Sequence, residues 1–270
     1  MRPATNAVAI ALVVIGPCVA QAASSTSEDR ISLTGSGTQL TGGGDTVGGA
    51  GEALGWIHNF DANSVLSLGA EHQTLKNAHW AFGSISGALT RELGDGRYTF
   101  AAEAHEGAGD DGVHPLKYRI EAGGVTATYF HQLSVQLEER RIDVETTHGH
   151  LPKLGVSYLW SPHWLTSLSY AVSAGGNLGT RLTSARVDHY SRPVNLFAGG
   201  SYGKIAPTIL GVGIVAPGHI YRDGYVGASK TFARRTDVSL TADYLNLSGT
   251  KRGTITLGFI FRLGSLGPAH

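Results

Sequence analysis

Two short runs of charge at a spacing of two could do chemistry. Lys117, Arg119 and Glu121 alternate with Tyr118 and Ile120, and Gln136, Glu138 and Arg140 alternate with Leu137 and Glu139. If both runs are strands, each set shares one face. A hairpin turning at His131 then lays the two sets side by side. Opposite charges converging in an enclosed space suit two kinds of work: a constriction that sorts solutes, or a brace or plug of mutually neutralised charge. Glu103, on the polar face of the run from Tyr98 to His105, is a further member of this lumen set with Lys117, Arg119, Glu121, Glu138 and Arg140.

A second constellation is Asp188-His189-Tyr190-Ser191, with Asn195 close behind. His and Ser two apart on a strand share a face, as a lipid hydrolase would require. Pro193 predicts a turn at this point that would redirect Asn195, so chance proximity is the better account. His148 and His150 flank Gly149, and His105 and His114 bracket a segment holding Asp110 and Asp111. Metal ligands need a rigid shell, so these read as solvated loop residues. No cofactor or metal motif is present. Glycine pairs such as Gly199-Gly200 precede no helix and read as packing sites rather than phosphate loops.

The elements that must position these residues are strands. In 238–244, Val238, Leu240, Ala242 and Tyr244 alternate with polar neighbours, and in 255–263 the apolar face is Ile255, Leu257, Phe259, Phe261 and Leu263. The same period of two runs through 98–105, 154–160 and 166–172, and no run with a period of 3.6 competes. The polar faces carry Gly, Ser, Thr and charge. Many apolar faces end in an aromatic residue: Trp56, Phe60, Trp80, Tyr98, Trp160 and Trp164. That is the girdle position at a membrane interface. Within 116–130 the apolar face switches at Gly123-Gly124, which predicts a bulge.

Turn signals alternate in character. Tight ones fall at 61–64, 94–97, 131–132, 161–163, 192–193 and 233–236. Looser ones fall at 41–46, 76–78, 106–115, 146–152, 175–180 and 248–252, with 205–223 counted as one more. Short turns at one end and longer loops at the other predict an all-β, up-and-down antiparallel transmembrane β-barrel of about 14 strands, with 12 or 16 as the alternatives. Sixteen would follow from an extra hairpin at Ala216-Pro217-Gly218.

Composition agrees. Of 270 residues, 16% are charged, Lys plus Arg equals Asp plus Glu at 21 each, and 38 are glycine. A soluble domain would be nearer a quarter charged, and a chain with no net charge and no basic run is not built for nucleic acid. Arg2, the apolar run 7–15 and Ala20-Gln21-Ala22 predict a cleaved secretory signal peptide over 1–22, leaving 23–270 as one barrel. The lone Cys18 lies in that leader behind Pro17, which disfavours lipidation, and the mature chain has no thiol.

The final strand, Thr256-Leu257-Gly258-Phe259-Ile260-Phe261-Arg262-Leu263, resembles the C-terminal recognition strand of outer-membrane proteins. Thr256, Gly258, Phe261 and Leu263 occupy the signal positions. The resemblance implies recognition by the barrel assembly machinery, with a short tail to His270 added. The order of segments from Trp56 to Leu263 is also similar to the YaiO family of outer-membrane β-barrels. The similarity is carried by 84–100 around Gly-Asp-Gly-Arg, by 153–173 with Tyr-Leu-Trp-Ser-Pro-His-Trp-Leu, and by 225–247. It implies a role near surface polysaccharide export or envelope integrity, in outer-membrane lipid, and supplies no catalytic residues.

Three functions follow as expectations: a small pore or conduit for polysaccharide or another polar solute, a closed structural barrel of the envelope, and, weakest, a lipid hydrolase resting on His189 and Ser191. Partners would be outer-membrane lipid, the assembly machinery and an envelope polysaccharide system.

Overall fold

The computed structural model describes residues 28–263 apart from 43, 62, 76–77, 95–96, 111–114, 145–146, 192, 206–218, 233–234 and 248–249. The side chains of 75, 78–80, 82, 109–110, 115–116, 147, 205 and 219 lie outside that description. The leader, Cys18 and the tail after Leu263 therefore fall outside the described residues.

Alternation with period two becomes fourteen antiparallel strands: β1 Glu28–Gly42, β2 Asp45–Asn59, β3 Ser64–Leu75, β4 Ala78–Leu93, β5 Tyr98–Asp110, β6 Pro115–Tyr129, β7 Leu133–Val144, β8 Thr147–Ser161, β9 Trp164–Val172, β10 Arg181–His189, β11 Asn195–Ile205, β12 His219–Phe232, β13 Thr236–Leu247 and β14 Thr250–Arg262. Each pairs with its neighbours in sequence, and β14 pairs with β1 from Arg30↔Arg262 to Thr41↔Lys251, so the barrel closes. Closure leaves no edge strand exposed. A row of directly paired residues climbs from Leu257 in mid-β14 through Gly35, Glu52, His72 and Ala81 to Asp110 at the end of β5. That stagger is the strand tilt a barrel needs.

One end, the turn end, carries the tight turns, the start of β1 and the end of β14. The Asp61 carboxylate there accepts the Asn63 N–H and the Ser64 hydroxyl, each at 2.7 Å. The Ser64 bond, then the Asn63 bond, hold it below the ordinary aspartate range. The other end, the loop end, is tighter than the sequence predicts. β7 and β8 pair out to Val144↔Thr147, β1 and β2 to Gly42↔Asp45, and β13 and β14 to Leu247↔Thr250. His148 and His150 consequently sit in β8 and not in a loop. The long described connection there is 173–180, while Ala216-Pro217-Gly218 lies outside the described residues.

Leu54, Leu89, Phe100, Leu137, Leu168 and Ile255 are among many large apolar side chains left exposed, and pairing puts them on one continuous outer belt. Aromatic residues rim the belt at the turn end, and the exposed Tyr202 and Tyr244 stand toward the loop end of β11 and β13. Trp56 Nε1 donates to Asp29 at 3.1 Å, Phe60 packs edge-on to His58, Trp160 packs edge-on to Tyr158, and Trp164 lies on His189. Tyr98 is exposed beside the Gly94–Arg97 turn. Trp80 stands instead near the loop end of β4, opposite Gln73, its side chain outside the described set.

The β6–β7 turn is the strained one. Phe130 and His131 have φ of 53° and 58°, and the Gln132 N–H donates to the Tyr129 carbonyl at 3.1 Å. Two positive φ values at the centre of a tight turn suit Asn-Gly, and Phe130 is 89% exposed, with little packing to offset the strain. Replacing Phe130 by Asn and His131 by Gly is expected to stabilise the folded barrel by about 1 kcal/mol. The check is the urea midpoint of protein refolded in detergent micelles, which should rise; a fall would mean that the Phe130 ring contributes more than the backbone loses.

Candidate functional site: the lumen wall and its mouth

The inner faces are lined with small polar side chains. Across neighbouring strands Ser157 meets Ser167 at 2.9 Å, Ser184 meets Ser201 at 2.9 Å, Thr38 meets Thr254 at 3.3 Å and Ser67 meets Ser86 at 2.5 Å. Glycines make room where larger side chains lie flat. A Cβ on Gly107 would come within 2.4 Å of the Tyr118 ring, and one on Gly199 within 2.5 Å of the Tyr225 hydroxyl. Both rings therefore cover a neighbouring strand's bare backbone and do not project across the lumen.

The charged cluster forms, but with different members. Glu138, whose side chain is 10% exposed, bonds Arg140, receives Lys153 Nζ at 3.3 Å and receives Gln136 at 3.2 Å. Arg140 also reaches Glu103 at 3.3 Å, and His105 lies 3.6 Å from the second Glu103 oxygen. This network joins β5, β7 and β8 across β6. It can do so because the β6 residues beneath it are Ala122 and Gly124. Ala122 pairs with both Glu103 and Arg140, and a Cβ on Gly124 would stand 2.8 Å from the Leu137 carbonyl. All partners in the network belong to one side of the wall, so it braces the wall and does not cross the interior.

Lys117, Arg119 and Glu121 are not part of it. The predicted bulge at Gly123-Gly124 is absent: β6 pairs without a register shift with both β5 and β7. Parity then puts Lys117, Arg119 and Glu121 on the outer face with Val125 and Ala127, and Tyr118, Ile120 and Ala122 on the inner one. Arg119 pairs with Glu121 along its own strand, beside Arg141–Asp143 at 2.9 Å and His150–Glu139 at 3.0 Å. The polarity of the wall therefore inverts toward the loop end of β6–β8, with charge outside and apolar side chains inside. The expectation failed because it took an apolar face to be an outer face along the whole strand.

That inner apolar patch has an occupant. The connection 173–180 turns through Gly175, Gly176 and Gly179, with φ of 71°, 67° and 56°. It places Leu178, 0% exposed, on Ile142 and Val144, with Tyr118, Ile120 and Leu151 around them. β9 stops at Val172, which would leave the loop end of β8 without a ladder partner. The connection supplies one. Ala174 N–H donates to the His150 carbonyl at 2.9 Å, Asn177 N–H donates to the His148 carbonyl at 2.9 Å, and the His148 N–H donates to the Asn177 side chain at 2.7 Å. A Cβ on Gly176 would lie 2.0 Å from the His148 carbonyl oxygen, so this approach demands glycine. In sequence, Gly175-Gly176 and Gly179 marked a loop; its inward course had no signal beyond Leu178.

The opposite wall carries Arg186, bidentate on Asp188 with a shortest contact of 2.6 Å and 4.8 Å above the Phe197 ring, and Arg252 3.4 Å from Asp243. At the turn end Arg262 meets Asp237 at 2.8 Å, and Arg30 meets Glu28 at 2.7 Å. Among the described inward-facing residues every Arg and Lys has a carboxylate partner, whereas Glu71 bonds Gln73 and Asp223 Oδ1 is buried without a partner. The described lumen wall thus holds surplus carboxylate. Asp188 faces inward while His189 faces outward onto Trp164, and the Ser191 hydroxyl donates to the Val194 carbonyl at 2.5 Å. His189 and Ser191 are not brought into a hydrogen-bonded pair. Thr256 and Gly258 face inward in β14, while Phe261 and Leu263 face out, Phe261 stacked with Phe259.

No protein-family model and no curated protein sequence matches the chain. Among solved structures, it is similar to the TodX monoaromatic hydrocarbon channel deltaS2 mutant, with 9% identity, a TM-score of 0.55, and 88% of this chain and 90% of that one covered. It is also similar to the CymD monoaromatic hydrocarbon channel, with 10% identity, a TM-score of 0.53, and 87% and 88% covered. What the chain shares with these outer-membrane proteins is the fold, a closed antiparallel β-barrel, here of fourteen strands.

The brace makes a stability prediction. Arg140→Met removes the cation that Glu103 and Glu138 share and is expected to cost about 2 kcal/mol. Adding Glu138→Gln to the same chain should recover part of that loss. Urea titrations read by heat-modifiable gel mobility measure both variants, and equal midpoints for Arg140→Met and wild type would remove the brace.

Proposed function

We propose that the chain is an outer-membrane pore that carries small polar solutes through a wet, cation-preferring lumen. The observation that carries this reading is the inner wall itself: hydroxyls on strand after strand, charges paired along the wall, and aromatic rings laid over glycine. Fourteen tilted strands at ordinary spacing give a backbone radius of roughly 14 Å. Side chains fill barrels of about eight strands but not one of this width. The exposed apolar belt with its aromatic rim at the turn end supports an outer-membrane setting, with the turns on the periplasmic side. The resemblance to YaiO barrels supports a finer reading, passage or export of saccharide beside a polysaccharide system.

A second reading, a closed structural barrel, is favoured by one feature: the connection 173–180 is packed into the mouth by Leu178. Conductance separates the two. Refolded protein in a planar bilayer is expected to give discrete steps that favour cations, because Glu71 and Asp223 have no basic partner among the described residues. Glu71→Gln with Asp223→Asn should shift the reversal potential toward that of a non-selective pore. Leu178→Asp, which unseats the connection, should raise the unit conductance by about half or more, since the narrowest section sets the resistance. Silence from wild type and Leu178→Asp alike, with gel mobility showing a folded barrel, would establish the closed reading.

A further inference from the structure

The outer wall carries a groove that the pore reading does not use. It has a volume of about 610 Å³ and is lined on its outer side by Phe100, Val125, Leu137, Leu154, Tyr170 and Val172, on five successive strands, β5–β9. Its floor is Gly123. The two adjacent glycines of β6 differ in what they require. Gly124 faces inward, where a Cβ would strike the Leu137 carbonyl, whereas a Cβ on Gly123 would meet nothing within 4 Å. Packing therefore accounts for Gly124 and leaves Gly123 with no steric reason to be glycine. The empty volume above it is the groove.

We infer that this groove holds an acyl chain of a phosphorylated glycolipid of the lipid A type, with the lipid's phosphate seated on Arg119 and Arg141. The inference rests on the membrane setting proposed above. The groove is continuous with the exposed apolar belt, so the phase that enters it from below is hydrocarbon. Its upper margin is where the wall inverts. On β7, Leu137 gives way to Glu139 and Arg141; on β8, Leu154 gives way to Pro152 and His150; on β6, Gly123 gives way to Glu121 and Arg119. An amphiphile lying along these strands meets apolar side chains with its chain and charge with its headgroup.

The partners of those cations point to phosphate. Arg119 and Arg141 are 62% and 59% exposed, and each is held by an acid two residues along its own strand. Such exposed pairs are weak. A phosphate monoester carries more charge than one carboxylate and has oxygens enough to bond both guanidinium groups at once. Arg119 and Arg141 stand on adjacent strands, Arg141 opposite Glu121 and Arg119 opposite Asp143, close enough to act on one headgroup. The loop end also faces outward in the proposed topology, toward the leaflet that holds such glycolipids.

The test is native mass spectrometry of the refolded, delipidated barrel in micelles after incubation with lipid A or with dephosphorylated lipid A. Wild type should retain one lipid A, and at least tenfold less of the dephosphorylated form. Gly123→Phe, whose Cβ has open space around it and whose ring would occupy the groove, should lower lipid A retention about tenfold, while Gly123→Ala should keep most of it. Arg119→Gln with Arg141→Gln should erase the preference between the two lipids. Equal retention by wild type and Gly123→Phe would overturn the groove, and equal retention of both lipids by wild type would overturn the headgroup assignment. Insertion of the same preparation into liposomes is measured alongside. Failure to insert overturns the membrane setting itself, a result distinct from insertion with an empty groove.

Discussion

Everything in this molecule depends on one continuous hydrogen-bonded ladder that returns to its start. A strand in a membrane has no water to satisfy its N–H and C=O groups, so each must bond a neighbouring strand, and the last strand must bond the first. The β14–β1 pairing meets that demand, with Leu33 opposite Phe259 and Thr38 opposite Thr254. Once the register is set, parity alone decides whether a side chain faces out or in. The belt, the lumen wall and the groove are all consequences of parity. The connection 173–180 follows from the same demand: where β9 ends early, β8 still needs partners, and Asn177 and Ala174 supply them.

Parity also explains which parts were legible in the sequence. Strands such as β13 and β14, which stay within the apolar belt for most of their length, announce their faces by strict alternation, and their pairing partners could be read with them. The strand count followed from the alternation and from turn chemistry at 61–64, 94–97 and 131–132. β6 was misread because it crosses the boundary of the belt. Below Gly123 its outer face is Val125, Ala127 and Tyr129; beyond Gly123 its outer face is Glu121, Arg119 and Lys117. A change of environment along a straight strand looks in sequence like a change of face. Register with Phe100 and Leu137 distinguishes the two, and register is a long-range property.

The brace shows the same limit from another side. Glu138 and Arg140 were recognisable as opposite charges two apart on a strand, and Glu103 as a charge on the polar face of its own strand. Lys153 and His105 were not, since nothing local ties Lys153 to Glu138. The signal that would have found them is negative: Ala122 and Gly124 are the small residues on the inner face of β6. A long side chain at either position would separate β5 from β7, so small residues there imply that something crosses above them. Read that way, a lumen's small residues are as informative as its charged ones.

The inverted polarity of β6–β8 and the inward course of 173–180 are then one arrangement. In the membrane setting proposed, the wall above the belt has water outside, so charge belongs on its outer face, and the inner face is free to be apolar. An apolar inner face in a wet lumen is costly unless something covers it. Leu178 covers it, held by a glycine-rich connection that also completes the β8 ladder. Ile142 and Val144 would otherwise expose to the lumen the surface that Leu178 now covers. Any motion that widens the mouth by withdrawing 173–180 must expose that surface and break the bonds to His148 and His150 together. Those two costs are coupled through Gly176, which cannot approach His148 if it carries a Cβ, so the mouth has a preferred narrow state set by packing and hydrogen bonding at the same few residues.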